Sequence, residues 1–185
     1  SVARLREQAE RDAGRKKREW LNPLMLKIPL GRPQAVLQLL SRGLNWCFGS
    51  MGLGLWSVVV LFGAYRLWMN FEQFGSATSS LLATDNWIWL GMTALLLKSV
   101  HEVAHGLACC RFRGDTREAG ILLLLFAPLP YVDVTSAWRF GSKWQRVFVS
   151  AAGMYAEFFI AALAAIVWTS TDSPVVQFHA CNVIA

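Results

Sequence analysis

Residues 86–110 read NWIWLGMTALLLKSVHEVAHGLACC. Apolar residues dominate this stretch, and a helix rising about 1.5 Å per residue would carry it across a hydrocarbon core of about 30 Å. Tryptophans at its start are typical of a membrane interface. The stretch also holds a lysine, a glutamate and two histidines, at Lys98, His101, Glu102 and His105. Because charged groups cost a few kcal/mol each inside a bilayer, we interpret these residues as functional candidates.

Other apolar segments lie on either side of this stretch. Residues 44–68 and 147–171 are long enough to cross a membrane, and a further apolar run starts at 175. The sequence therefore predicts an α-helical polytopic membrane protein with three complete transmembrane helices (44–68, 86–110 and 147–171) and the start of a fourth. Since that fourth run ends after 11 residues, we expect the chain to be a fragment of a longer protein. Residues 1–43 form a basic, cytoplasmic or interfacial segment ahead of this membrane core, 44–185.

The apolar run 121–132 is too short to span, and Pro128 and Pro130 exclude a regular helix. We predict a β-hairpin or re-entrant element on the cytoplasmic side, packed against the helices because lipid cannot satisfy its peptide groups. As a hypothesis, this element could pair with an extended substrate strand.

Composition and charge agree with a membrane location. Hydrophobic residues make up 55% of the chain and charged residues 16%, against about 25% charged in a soluble domain. Lys and Arg number nine in residues 1–32, none in 70–85 and six in 111–146. The positive-inside rule places the N-terminus and 111–146 in the cytoplasm. Because membrane segments follow the basic tail, we expect its partner to be a lipid surface rather than nucleic acid. Within this tail, residues 3–20 are expected to form either a basic surface helix or a solvated arm.

The motif H-E-x-x-H occupies residues 101–105. On a helix, His101 and His105 lie about 40° apart around the axis, so both imidazoles can reach one ion. Zn²⁺ binds neutral imidazoles, and Glu102 is placed to act as a general base on water bound to that ion. The structural alternative is a polar contact between helices.

Further polar residues leave alternatives open. Lys98 is either an i,i+4 ion-pair partner of Glu102 or a substrate contact. Glu157 is placed to orient a histidine, to bind a substrate backbone or to pair with Lys98. A catalytic zinc needs a third protein ligand. Asp133 is one candidate, and a residue beyond 185 is the other.

The chain resembles the site-2 protease family of intramembrane zinc metalloproteases, in its bacterial "putative peptide zinc metalloprotease" subgroup. The segments that carry the resemblance, from about Trp20 onward, are 21–24 (LNPL), 27–30 (KIPL), Lys98 with 101–106 (HEVAHG), 128–133 (PLPYVD), 143–146 (KWQR) and 151–157 (AAGMYAE).

The resemblance implies that His101 and His105 bind zinc and that Glu102 is the general base. In that family the third ligand is an aspartate of an Asp-Gly motif in a later helix, which does not follow 147–171 here. Family members often have asparagine where Glu157 stands. The resemblance also implies a bacterial inner-membrane enzyme acting on a peptide or membrane protein, with a membrane-fusion-type export partner. A non-catalytic scaffold subunit of an export system and a metal transporter are the alternatives.

Overall fold

The structure, a computed structural model, describes residues 25–79, 81, 83–125 and 127–185. The helices are α1 (Gln34–Leu44), α2 (Ser50–Met69), α3 (Phe71–Thr78), α4 (Trp87–Arg111), α5 (Lys143–Trp168) and α6 (Pro174–Ile184). The strands are β1 (Met25–Gly31), β2 (Ala119–Leu124) and β3 (Ala127–Val132). Short 3₁₀ turns occupy 45–48, 84–86 and 135–139. The described part of the chain is thus mostly helical, with one small sheet.

The sheet is antiparallel, with β2 in the centre. Strands β2 and β3 form the predicted hairpin, in which Ala119 pairs with Val132 and Leu124 with Ala127. The outer strand β1 pairs with β2 along its length. We did not predict β1, because it lies in the basic segment 1–43 and its apolar residues alternate over only a few positions. The described part of that segment therefore belongs to the folded core.

Helices α4 and α5 pack closely through small side chains. Ala104 and Ala108 of α4 are buried against Val149 and Ala152 of α5. Small residues let two helix backbones approach, which is how membrane helices gain van der Waals contact without a hydrophobic driving force. This close packing brings one face of α5 directly onto the H-E-x-x-H turn.

Helix α2 approaches α5 just as closely. A methyl group added at Gly63 would lie 2.7 Å from the carbonyl oxygen of Ala162, so only glycine fits this crossing. At its N-terminal half, Trp56 donates from Nε1 to the carbonyl oxygen of Tyr155, at 2.7 Å. The helices α2, α4 and α5 thus form a connected unit, with α5 in the middle.

Helix α4 ends in a Schellman motif. The amide of Gly114 donates to the carbonyl of Cys109 at 2.9 Å, and that of Arg113 donates to Cys110 at 3.0 Å. Arg113 adopts the left-handed conformation, with φ of 58°, that this motif requires. The chain therefore leaves α4 sharply and turns back toward the sheet.

Two helices in the described residues are long and apolar enough to cross a membrane. They are α2, with mean hydropathy 1.4, and α5, with mean hydropathy 1.8. Only 11% and 28% of their apolar windows are buried inside the molecule, whereas a core helix of a soluble protein is mostly covered. Their exposed apolar surface is what a lipid-facing helix presents.

The predicted count of three complete spans plus a fourth start is therefore too high by this criterion. Helix α4 has 25 residues but falls short in hydropathy, because the polar residues of the candidate site lie within it. Helix α6 has only 11 residues. The first predicted span, 44–68, also starts too early, since the extended Gly49 separates α2 from the preceding 3₁₀ turn.

Two predictions concern the chain before α2. The short amphipathic helix α1 was not predicted, and its Leu37 is 3% exposed and lies against Gly106 of α4. The surface helix predicted for 3–20 lies outside the described residues. Helix α1 thus covers the C-terminal half of α4 on the side of the sheet.

A buried amide pair fixes the last helix. Asn86, just before α4, and Asn182 of α6 donate to each other's side-chain oxygens, at 2.9 and 3.1 Å. Both side chains are almost fully buried. A reciprocal pair of this kind satisfies both amides, so it holds α6 against the start of α4.

Candidate functional site

The two histidines of the motif lie side by side on α4. The ring centroids of His101 and His105 are 4.7 Å apart, in an edge-to-face arrangement. This closeness follows from their i,i+4 spacing on a continuous helix. The structure therefore brings together the two imidazoles that the sequence singled out.

His105 is oriented by the backbone of the neighbouring helix. Its Nδ1 lies 2.6 Å from the carbonyl oxygen of Val149 on α5. A carbonyl oxygen only accepts, so Nδ1 carries a proton, and in the neutral imidazole Nε2 then keeps its lone pair. This is the tautomer in which Nε2 can bind a metal, and such a partner on the other ring nitrogen is typical of metal-binding histidines.

His101 rests on a glycine of α5. A methyl group added at Gly153 would lie 2.4 Å from Nε2 and Cδ2 of the His101 ring. Its Nδ1 lies 2.9 Å from Oε1 of Glu157 but is not aligned for a hydrogen bond with it. Glu157 therefore faces His101, one of the roles that the sequence left open, and Gly153 provides the space for the ring.

Glu102 is held on two sides. Its Oε1 lies 2.9 Å from Nζ of Lys98, so the i,i+4 ion pair that the sequence allowed is present. Its Oε2 accepts a hydrogen bond of 3.3 Å from the backbone amide of Val132, at the end of β3. The Glu102 side chain is 16% exposed. The carboxylate is thus fixed between the helix and the sheet.

Asp133 belongs to a different charged group, on the sheet. Lys27 lies 2.9 Å from Glu118, and Tyr131 donates a short hydrogen bond to the same carboxylate. That bond from Tyr131, followed by Lys27, lowers the pKa of Glu118. Burial raises the pKa of Asp133, but hydrogen bonds from Thr135 and the charge of Lys27 outweigh it and the net pKa is lowered.

The structure does not bring Asp133 to the histidines. Its Oδ1 accepts from the amide of Thr135 at 2.9 Å, in a local turn. Within the described ranges, no three His, Cys, Asp or Glu residues are grouped so that they could hold a metal ion. The described part of the chain therefore offers two histidines as candidate metal ligands and supplies no third.

The outer edge of β3 is poor in hydrogen-bond donors. Asp133 donates toward β2, to the carbonyl of Glu118, whereas Val132 donates away from it, to Glu102. Successive residues of a strand alternate in direction, so Pro128 and Pro130 face outward with Val132. Proline has no amide hydrogen. This edge therefore offers only carbonyl acceptors at 128 and 130, which restricts the strand pairing suggested by the sequence.

A cavity of about 290 Å³ adjoins the site on the side of His105. Trp138 and Arg146 line it, together with Val134, Ala137, Val149 and Ser150. Arg146 donates to the carbonyl of Phe140 at 2.7 Å, which fixes its position in the wall. The cavity provides room for a side chain next to the histidine pair.

Sequence reasoning missed the backbone groups of the site. The roles of the Val149 carbonyl and the Val132 amide cannot be recognised from residue types, because both are backbone groups. Gly153 did have a signal, because it lies at helical spacing from Ala161 and Ala165, and such a stripe of small residues is typical of a face that packs against another helix. Its contact with His101 could not be seen from that stripe.

Comparisons with protein-family models, curated proteins and solved structures found no match to this chain.

Proposed function

We propose that this chain is the metal-binding part of an intramembrane zinc metalloendopeptidase of the site-2 protease type. One observation carries the proposal: the His101 and His105 rings lie side by side on α4, and Nδ1 of His105 is held by the Val149 carbonyl, which leaves Nε2 to bind a metal. The ordered set of motifs that resembles the family supports the same conclusion. The finer topology, in which α4 also crosses the membrane between α2 and α5, is part of this proposal.

His101 and His105 would hold the zinc ion, with a third ligand from outside the described residues. When bound, zinc supplies Lewis acidity that polarises a carbonyl group and acidifies water. Gly153 and Val149 of α5 fix the positions of the two rings. Because α5 sets both ring positions, the geometry of the site depends on the contact between α4 and α5.

Glu102 would transfer the proton in peptide hydrolysis. Its carboxylate takes a proton from the attacking water, the water oxygen bonds to the peptide carbon, the C–N bond breaks, and the proton goes to the leaving amine. Lys98 and the Val132 amide restrain the carboxylate while it does so. The cavity beside His105 accommodates a substrate side chain, and the carbonyls on the outer edge of β3 can accept from an extended substrate.

By analogy with the subgroup, the substrate is a peptide or membrane protein, and the partner is an export protein of the membrane-fusion type. The location is an inner membrane with the N-terminus in the cytoplasm. Two helices that could cross a membrane support the membrane part of this proposal.

The test is Glu102→Gln in the full-length protein, purified in detergent and assayed with a peptide library. We expect stoichiometric zinc to be retained and cleavage to fall by about 10²-fold or more, since general-base catalysis contributes about 10²–10⁴-fold. Glu72→Gln, on the short helix α3, is the matched control.

Unchanged turnover in Glu102→Gln would contradict the enzyme. Zinc uptake into sealed vesicles by the unmodified protein, without cleavage, would support the transporter instead. Tight zinc binding with neither activity would support the scaffold.

A further inference from the structure

A second cavity, of about 410 Å³, lies among α2, α4, α5 and the turn before α2. Its walls include Leu44, Trp56, Val103, Leu107, Tyr155 and Phe159. It lies beside the α4 residues Val103 and Leu107 and is distinct from the cavity next to His105. We refer to it as the apolar cavity.

The polar atoms of two aromatic residues in its wall, Trp56 and Tyr155, are already satisfied. Trp56 Nε1 donates to the carbonyl of Tyr155 at 2.7 Å, and the Tyr155 hydroxyl donates to the carbonyl of Cys47 at 2.9 Å. The two rings stack with centroids 4.9 Å apart. An occupant would therefore meet hydrocarbon and aromatic faces, which suits an apolar chain that makes no hydrogen bonds.

A fixed cation lies at one end of the apolar cavity. Arg111 follows Leu107 by one helical turn, and its Nη1 lies 2.8 Å from both the backbone and the side-chain oxygen of Asn45. Asn45 lies between Leu44 and the exposed Trp46, both of which line the cavity. No carboxylate of the described residues pairs with Arg111. Its remaining N–H groups are thus available to an anion.

The size of the cavity argues against a protein helix as its occupant. A helix about 10 Å across fills roughly this volume with a single turn, whereas an acyl chain is narrow and continuous with the bilayer. Arg111 also begins the positively charged segment 111–146, which is predicted to face the leaflet that carries anionic lipid.

We propose that the apolar cavity and Arg111 bind one anionic phospholipid. Its acyl chain occupies the cavity, and its phosphate contacts the guanidinium of Arg111. Trp46 packs at the level of the headgroup, where tryptophan is favoured. This site is independent of the proposed protease activity.

The first experiment measures the headgroup preference. The full-length protein in detergent is titrated with phosphatidylglycerol or phosphatidylcholine of the same acyl chains, and retained lipid is counted by native mass spectrometry. We expect phosphatidylglycerol to bind about fivefold more tightly, the increment typical of one basic residue near an anionic lipid. Arg111→Gln should remove this preference. Arg139→Gln, an equal charge change on an exposed arginine away from the cavity, should keep it.

The second experiment fills the cavity. Val103→Trp places a large ring in the space, and we expect retention of both lipids to be lost. Leu96→Trp, at a 65% exposed position of the same helix that does not line the cavity, should retain lipid. Circular dichroism of each variant verifies the fold.

Equal retention of both lipids by the unmodified protein and by Arg111→Gln would overturn the proposal, because it would indicate only the general lipid shell. Retention that survives Val103→Trp in a folded protein would overturn it as well. An absence of retained lipid in the unmodified protein would overturn it too. Since no readout involves cleavage, these outcomes do not depend on the fate of the protease proposal.

Discussion

His101 and His105 are both histidines of helix α4, yet their environments differ. His105 is fixed by a hydrogen bond to the Val149 carbonyl, whereas His101 is fixed by van der Waals contact with Gly153 and faces Glu157. The His105 ring is therefore positioned by a hydrogen bond and the His101 ring by steric fit. The shape of the His101 site depends on the absence of a single methyl group.

Gly153→Ala tests this dependence. The added methyl would overlap the His101 ring, so the ring must move, and we expect zinc affinity to fall about 10- to 100-fold, as when groups that orient metal ligands are altered. Gly91→Ala on α4 is the matched control, because its added methyl meets no atom within 4 Å. Competition with a chelator measures both variants, and equal affinities would contradict the inferred role of Gly153.

At the scale of elements, β3 combines two functions through the alternation of its backbone. Leu129, Tyr131 and Asp133 face β2 and maintain the sheet, while Pro128, Pro130 and Val132 face outward. The prolines remove hydrogen-bond donors from an edge that could otherwise pair with a strand of another chain. Val132 keeps the one outward amide of this series, and it donates to Glu102.

Val132→Pro removes that amide without removing a bond within the sheet. A hydrogen bond to a charged group contributes about 1.5–3 kcal/mol, and the 3.3 Å bond here is long. We therefore expect kcat for peptide cleavage by the full-length protein to fall about tenfold. Val132→Ala shortens the side chain that lies near Gly106 but keeps the amide, and it should retain near-normal kcat. Equal losses in both variants would indicate a packing effect rather than restraint of Glu102.

At the scale of the whole molecule, the candidate site lies on α4, a long helix that is less apolar than the two candidate membrane spans. Helices α2 and α5 are apolar and largely uncovered, whereas α4 carries the charges of the site. Polar groups at membrane depth are tolerated where protein or a water-filled cavity surrounds them. The contact of α4 with α5, with α1 and with the sheet provides such surroundings on several sides.

Reporter fusions after 78, 141 and 172 distinguish the topologies. If α4 crosses, alkaline phosphatase will be active at 78 and 172 and inactive at 141, since segment 111–146 is then cytoplasmic. If only α2 and α5 cross, the fusions at 78 and 141 will share one side. Green fluorescent protein at the same positions, which folds in the cytoplasm, should give the reverse pattern.

The sequence by itself determined the helical class, a β-hairpin or re-entrant element at 121–132, and the pairing of His101 with His105 on one helix face. These features follow from short-range rules: apolar length, proline geometry and helical spacing act within a few residues. The ion pair between Lys98 and Glu102 follows from the same spacing.

Only the tertiary structure decided how those residues are oriented. Three groups from elements far away in the chain contact α4: the Val149 carbonyl, the Val132 amide and Gly153, against which the His101 ring packs. Every residue has a backbone carbonyl and nearly every residue has a backbone amide, so residue types do not indicate which of them will orient a side chain. Strand β1 and the separate start of α2 at Ser50 were decided in the same way. Their short segments are compatible with several conformations, and contacts with β2 and α5 select one.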